Sequence, residues 1–229
     1  MKPLPFALLL LSAPAAGAQT CREAAAFFKE GVLMVYTNFD AKGKIESVMQ
    51  ERVVGVAEKN DTLIVQLDVR SLDDKGKEVF HNTVPVKCYQ DAFLMDMRSL
   101  VPSANMNSTD ASIQMEISGT DLVYPANMQP GQSLPDSEMQ LKTTVNGLPV
   151  MTNNFRVYNR KVAARETVTT PAGAFDCLKV TYTLEIKMLG TRTSNAEYWF
   201  SPGVGTVRSV TYDKKGNRVG SMELTKVER

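Results

Sequence analysis

The chain has 229 residues, of which 43% are hydrophobic and 22% charged, with 26 basic against 25 acidic side chains. That balance, and the lack of any run of four basic residues, argues against electrostatic binding to nucleic acid or to an anionic membrane surface. The length suits one domain and buries a substantial core without help from disulfides.

Met1 to Ala18 reads as a secretory signal peptide. Lys2 supplies the positive start, Phe6 to Leu11 the short apolar core, and Ala16-Gly17-Ala18 the small residues before a cut. The apolar run is too short to span a bilayer, and no other stretch qualifies as a transmembrane helix. Loss of Lys2 leaves 25 basic against 25 acidic groups. The mature chain, residues 19–229, is expected as one soluble domain, exported to the periplasm or secreted. A lipid-attachment site at Cys21 would want a small residue before it, and Thr20 stands there instead.

Arg22 to Glu30 contains helix formers and is predicted to make one or two turns, ended by Gly31. Strands are predicted over Val32–Phe39, Ile45–Glu58, Thr62–Leu72, Glu78–Tyr89 and Ala92–Met97. In the third, Leu63, Val65, Leu67 and Val69 share one face, and Gln66, Asp68 and Arg70 the other. Turns of the form D-x-K-G-K/N occur at Asp40–Lys44, Asp73–Lys77 and Asp213–Asn217. The Asp side chain can accept backbone amides of its own turn, and Gly permits positive φ, so these are hairpin turns before they are calcium loops. Val101–Ser112 is polar and aperiodic and contains the sequon Asn107-Ser108-Thr109. A short strand follows at Ile113–Ile117. Tyr124–Asp136, with three prolines and a glycine, reads as a long loop, either a passive connection or a lid.

Alternation resumes at Met139–Val145, and Asn146-Gly147 marks a hairpin. Pro149–Val168 reads as one long strand or two joined ones. The clearest pattern is Phe175–Met188. Leu178, Val180, Tyr182, Leu184, Ile186 and Met188 fall on one side of an extended chain, with Lys179, Thr181, Thr183, Glu185 and Lys187 on the other. Ala196–Ser201, Gly205–Tyr212 and Arg218–Val227 complete about twelve strands. Their short connections give an antiparallel meander: an all-β chain, a curved sheet or half-barrel with one short N-terminal helix.

Two linked patterns look familiar: Glu166-Thr-Val-Thr-Thr-Pro-Ala-Gly-Ala-Phe-Asp-Cys177, and Tyr198-Trp-Phe-Ser-Pro-Gly-Val-Gly205 followed by Val207 and Arg208. With Tyr36–Lys44 and Lys87-Cys88-Tyr89, the chain resembles the TapB-like family of exported bacterial proteins. By analogy of fold, such exported β proteins are similar to the lipoprotein-carrier proteins, in which a half-open barrel surrounds lipid. The resemblance implies an architecture more than a ligand.

Cys21, Cys88 and Cys177 leave several redox states open. An oxidising compartment favours a Cys21–Cys88 disulfide with Cys177 left over; three reduced thiols are the alternative. Signs of catalysis are few. His81 is the single histidine, placed on a wet face without nearby Cys, His or carboxylate partners, and so without the three or four ligands zinc needs. No nucleophile elbow, phosphate-cradling loop or papain-like context for Cys177 occurs. Met95 and Met97 share one strand face, thin grounds for copper, and methionines suit adaptable apolar surfaces. The expected protein is therefore not an enzyme and uses no cofactor or metal. It is a binder or carrier of a lipid or acyl chain, with Tyr182, Leu184, Ile186, Met188, Trp199, Met95 and Met97 as ligand contacts. The alternative is an envelope scaffold that docks another protein.

Overall fold

The computed structural model describes residues 20–25, 27–97 and 113–229. The signal segment and the sequon at Asn107 lie outside the described residues. A five-residue helix α1 (Cys21–Ala25) opens the described chain. Thr20 caps it: the Glu23 amide donates to the Thr20 hydroxyl at 3.2 Å, and the Thr20 amide donates to the Glu23 carboxylate at 2.8 Å. A disulfide joins Cys21 to Cys88.

Among the described residues, thirteen strands then form one antiparallel sheet. They are β1 (Leu33–Asp40), β2 (Ile45–Lys59), β3 (Thr62–Asp73), β4 (Glu78–Tyr89), β5 (Ala92–Asp96), β6 (Ile113–Gly119), β7 (Asp121–Pro125), β8 (Ser137–Val145), β9 (Leu148–Thr170), β10 (Gly173–Lys187), β11 (Thr191–Ser201), β12 (Gly205–Asp213) and β13 (Arg218–Glu228). Most neighbours in space are neighbours in sequence. Two exceptions bend the meander round. β1 pairs with β13, joining the chain's two ends. β6 pairs with β8 while β7, one residue further on, pairs with β5.

That last switch carries the sheet beyond the expected half-barrel. The edges of the sheet are β6 and β7, and only Thr120 separates them. One bent run of chain thus bonds to β8 with its first half and to β5 with its second. Thr120 secures the corner, its amide donating to the Glu138 carbonyl at 2.9 Å. The Ser137 hydroxyl donates to the Asp121 carbonyl at 3.0 Å. The two edge strands are short, seven and five residues, and short edges limit pairing with other chains.

The hairpin turns follow their sequences. In each D-x-K-G turn one Asp oxygen accepts two backbone amides, for example Lys42 at 2.8 Å and Lys44 at 2.9 Å on Asp40. Asp73 and Asp213 repeat the arrangement. The glycines at 43, 76 and 216 all take φ near 80°. The main core cluster gathers Met34, Tyr36, Val53, Leu67, Val84 and Leu224 from β1, β2, β3, β4 and β13. It fills one part of the barrel's interior.

Candidate functional site

Beside this cluster and three smaller ones on the inner side, the interior holds a hollow. A cavity of about 530 Å³ lies between β5, β7, β8, β9, β10 and β13. Met95, Met97, Tyr182, Leu184, Ile186 and Met188 all line it, with Phe155, Val157, Tyr198 and Met222 beside them. The volume falls in the range of small-molecule sites, about 300–1,000 Å³. A smaller hollow of about 120 Å³ adjoins it, sharing Met95, Tyr124, Thr206 and Met222.

β9 supplies the cavity's one buried cation through an irregularity. Tyr158 pairs with Thr183 and Lys161 with Thr181, so Asn159 and Arg160 together oppose Tyr182. This is a β-bulge, and Asn159 takes it up at φ 53°. Strict alternation from Val157 would have pointed Arg160 and Val162 outward. The extra residue turns both inward, where they are buried.

Arg160 is 2% exposed. Its Nη1 donates to the Pro135 carbonyl at 2.7 Å, and its guanidinium carbon lies 4.7 Å from the centre of the Tyr124 ring. Nη2 has no hydrogen-bond partner among the described residues. Among the described residues no carboxylate lies within ion-pair distance of it. Tyr124, Tyr182 and Tyr198 stand edge to face around this point, with centroids 5.7 Å apart in the pairs Tyr124–Tyr198 and Tyr182–Tyr198. The Tyr198 hydroxyl is near Tyr124 and Arg160 yet makes a well-formed hydrogen bond with neither. Burial first, then the neighbouring Tyr124, holds the Tyr198 hydroxyl well above its ordinary pKa. Burial also pushes Tyr182 up to about 12, so both phenols keep their protons and can donate.

A carboxyl group faces the smaller hollow. Glu51 on β2 is half-buried and lines that hollow with Leu67, Val86, Phe93 and Met222. Burial raises its pKa from 4.5 to about 7, with the Tyr36 hydroxyl pulling the other way. The sequence reading missed both Glu51 and Arg160. Glu51 had a signal: it sits in step with Met49 and Val53, a charged residue on an apolar face.

Three expectations need correction. Trp199 is not part of the cavity. It pairs with Lys179, while Tyr198 and Phe200 on the other face of β11 pair with Val180 and Leu178. Its indole N–H donates to Glu166, the Lys179 ammonium lies 5.1 Å from its ring, and Cys177, Val168 and Val207 pack around it. The stretch expected as a long loop from Tyr124 begins as strand, since Tyr124 and Pro125 belong to β7. Its remainder is a strap and not a free lid. Gly131 donates to the Val162 carbonyl at 2.8 Å and Leu134 to the Arg160 carbonyl at 2.9 Å, while Met128 and Leu134 are sunk into the core. His81 does have a carboxylate neighbour, Asp68 at 2.6 Å, on an exposed face.

Comparison with known proteins follows from this geometry. The profile of the family described as DUF3108-like matches residues 29–224. The chain belongs to the DUF3108-like family. Among curated proteins none matches it. Two crystal structures share the fold of this DUF3108-like chain over nearly their whole length. One is described as a candidate exported protein with a YmcC-like fold from Bacteroides fragilis: 26% identity, TM-score 0.71, covering 88% of this chain and 97% of that one. The other, described as a candidate lipoprotein from Parabacteroides distasonis, has 25% identity and a TM-score of 0.72, covering 87% of this chain and 96% of that one. The family name differs from the TapB-like one that the motifs resemble.

Proposed function

We propose that this DUF3108-like protein is a non-enzymatic, exported binding or carrier protein for an apolar ligand such as a lipid or acyl chain. The reading rests on one observation: a hollow of about 530 Å³ inside a joined sheet, walled mainly by methionine, leucine and aromatic side chains. A packed domain core leaves few voids larger than a water molecule, so an apolar hollow of this size calls for an occupant. Flexible thioethers from Met95, Met97, Met188 and Met222 suit ligands of varied shape. The TapB-like resemblance and the carrier analogy agree with it. So do the signal-like residues 1–18 and the relatives described as exported or as a lipoprotein.

Several large apolar side chains are exposed. Met188 lines the cavity and is 56% exposed, and Leu189 beside it is wholly exposed. Leu148 and Val150, at the start of β9, are exposed as well. These side chains give the second reading, a protein-docking scaffold, its support. A lipid attached through the Cys21 sulfur is incompatible with the Cys21–Cys88 disulfide, since one sulfur cannot form both bonds.

Native mass spectrometry of freshly purified protein tests the carrier reading. The expected result is a set of adducts with acyl-chain masses, lost on solvent extraction and regained on adding fatty acid. A chain that stays free of adducts, and that neither takes up acyl ligands nor enhances an apolar dye, would leave only the scaffold reading.

A further inference from the structure

We infer that Arg160 holds the anionic head of the ligand, so that the occupant is an amphiphile with a single carboxylate or phosphate end and an apolar tail. The inference deepens the carrier reading and rests on it.

A buried guanidinium is costly to leave without a counter-charge, and buried charges are ordinarily paired. Arg160 breaks that rule. It is 2% exposed, it has five donors, and one of its two terminal nitrogens has no partner among the described residues. Its partners are a neutral carbonyl and the face of a tyrosine ring. Glu51, the carboxyl of the adjoining hollow, is not within ion-pair distance. Nor is the position a by-product of regular pairing. The bulge at Asn159 is what brings the side chain inside, and bulges re-aim side chains beside binding sites.

The residues that carry these unmet polar atoms line the cavity. Arg160 Nη2, Tyr198 Oη and Asn153 Oδ1 are all buried without a hydrogen-bond partner among the described residues, and all three residues line the same hollow. Arg160 and Tyr198 hold an unused N–H and O–H beside the hollow, which a small side-chain shift would present to an incoming acceptor. The cation at Arg160 selects a negative one, and carboxylate and phosphate both fit the planar fork of arginine. Apolar walls from Met95, Leu184 and Ile186 then take the tail.

The test uses the full mature chain, stripped of lipid by solvent extraction. Its probes share one acyl chain: oleate, oleoyl lysophosphatidic acid and neutral oleyl alcohol, with inorganic phosphate as the tail-less control. Affinity is read by displacement of an apolar dye and checked by native mass spectrometry. One or both anionic lipids should bind at least tenfold tighter than the alcohol, and their order tells carboxylate from phosphate. Arg160→Met should abolish that preference while leaving alcohol binding intact. Arg160→Lys should keep part of it, and Tyr198→Phe should reduce it severalfold. The two milder variants cover the case in which Arg160→Met fails to fold. Equal binding of all three lipids, unmoved by Arg160→Met, would overturn the head-group role and leave the carrier reading standing. Binding of inorganic phosphate as tight as that of the lipids would overturn the amphiphile. Failure of every lipid would overturn the carrier reading itself.

Discussion

A β-carbon placed on Gly119 would lie 2.5 Å from the carbonyl oxygen of Glu138. It would also lie 2.9 Å from the Met139 Cα. Both obstacles are backbone and cannot swing aside. Gly119 is the last residue of β6, beside the corner where the chain leaves β8 for β5. Glycine inside a strand marks close approach of another backbone. Gly119→Ala should therefore force the seam apart and cost about 1–3 kcal/mol, the usual penalty for overpacking. Urea unfolding measures it. A substitution that leaves the midpoint unchanged would mean that the corner is loose and that β6–β8 pairing does not hold the sheet together.

Glu51 makes stability depend on pH, with a definite sign. Burial raises its carboxyl from 4.5 to about 7 in the folded chain. Below about pH 4.5 both states hold the proton and the group's contribution is whole. As pH rises towards 7 the unfolded chain releases its proton while the fold retains it, so stability falls, and it levels off above 7. The loss is on the order of 3 kcal/mol. Glu51→Gln should flatten this part of the profile and unfold at higher denaturant than the parent at pH 8. Parallel profiles for the two chains would show that Glu51 ionises as an exposed carboxylate does.

The strands of this fold were legible because period-two alternation needs only the order of residues. Val65, Leu67 and Val69 face the core as their spacing predicts, and the three D-x-K-G turns close as their chemistry requires. Six of the seven expected ligand contacts line one cavity. The misses share a physical origin. Trp199 was grouped with residues it never meets because alternation says which residues share a face, not which face is inside. Arg160 escaped notice because a bulge breaks the count, and no residue pattern around Asn159 announces one. The strand β7 was hidden by its brevity and by Pro125 at its end. Joining of the sheet through Thr120 depends on pairing between β5 and β7, which is set by tertiary packing.

The cysteines should give a simple thiol count. Cys21 and Cys88 are bonded, and Cys177 is buried as a free thiol. Burial, followed by the charge of Asp176, pushes that thiol up to about 11, so little thiolate exists at pH 8. The native protein should resist a thiol reagent, react at one site when unfolded, and react at three when unfolded with reductant. The disulfide spans 67 residues of sequence. A cross-link of that span stabilises by about 2–4 kcal/mol, so the Cys21→Ser/Cys88→Ser chain should unfold at correspondingly lower urea. Rapid labelling of the folded chain would show that Cys177 is open to solvent.

Trp199 should be blind to what fills the cavity. Tyr198 and Phe200 flank it in sequence and point into the barrel, while its own ring turns the other way, against Lys179 and Glu166. Loading the interior alters the surroundings of Tyr182 and Tyr198 and leaves those of the indole as they were. Intrinsic tryptophan emission is then a control and not a binding signal. Moving the fluorophore makes the contrast: in a Trp199→Phe, Tyr182→Trp chain the single indole lines the hollow, and its emission should shift on adding oleate. Trp199→Phe alone should cost about 1–2 kcal/mol, from the lost hydrogen bond and the smaller ring. An apolar ligand that moves the native emission as far as that of the indole installed at position 182 would place the binding surface on the outer face of β11, and the barrel's interior would lose its claim as the site.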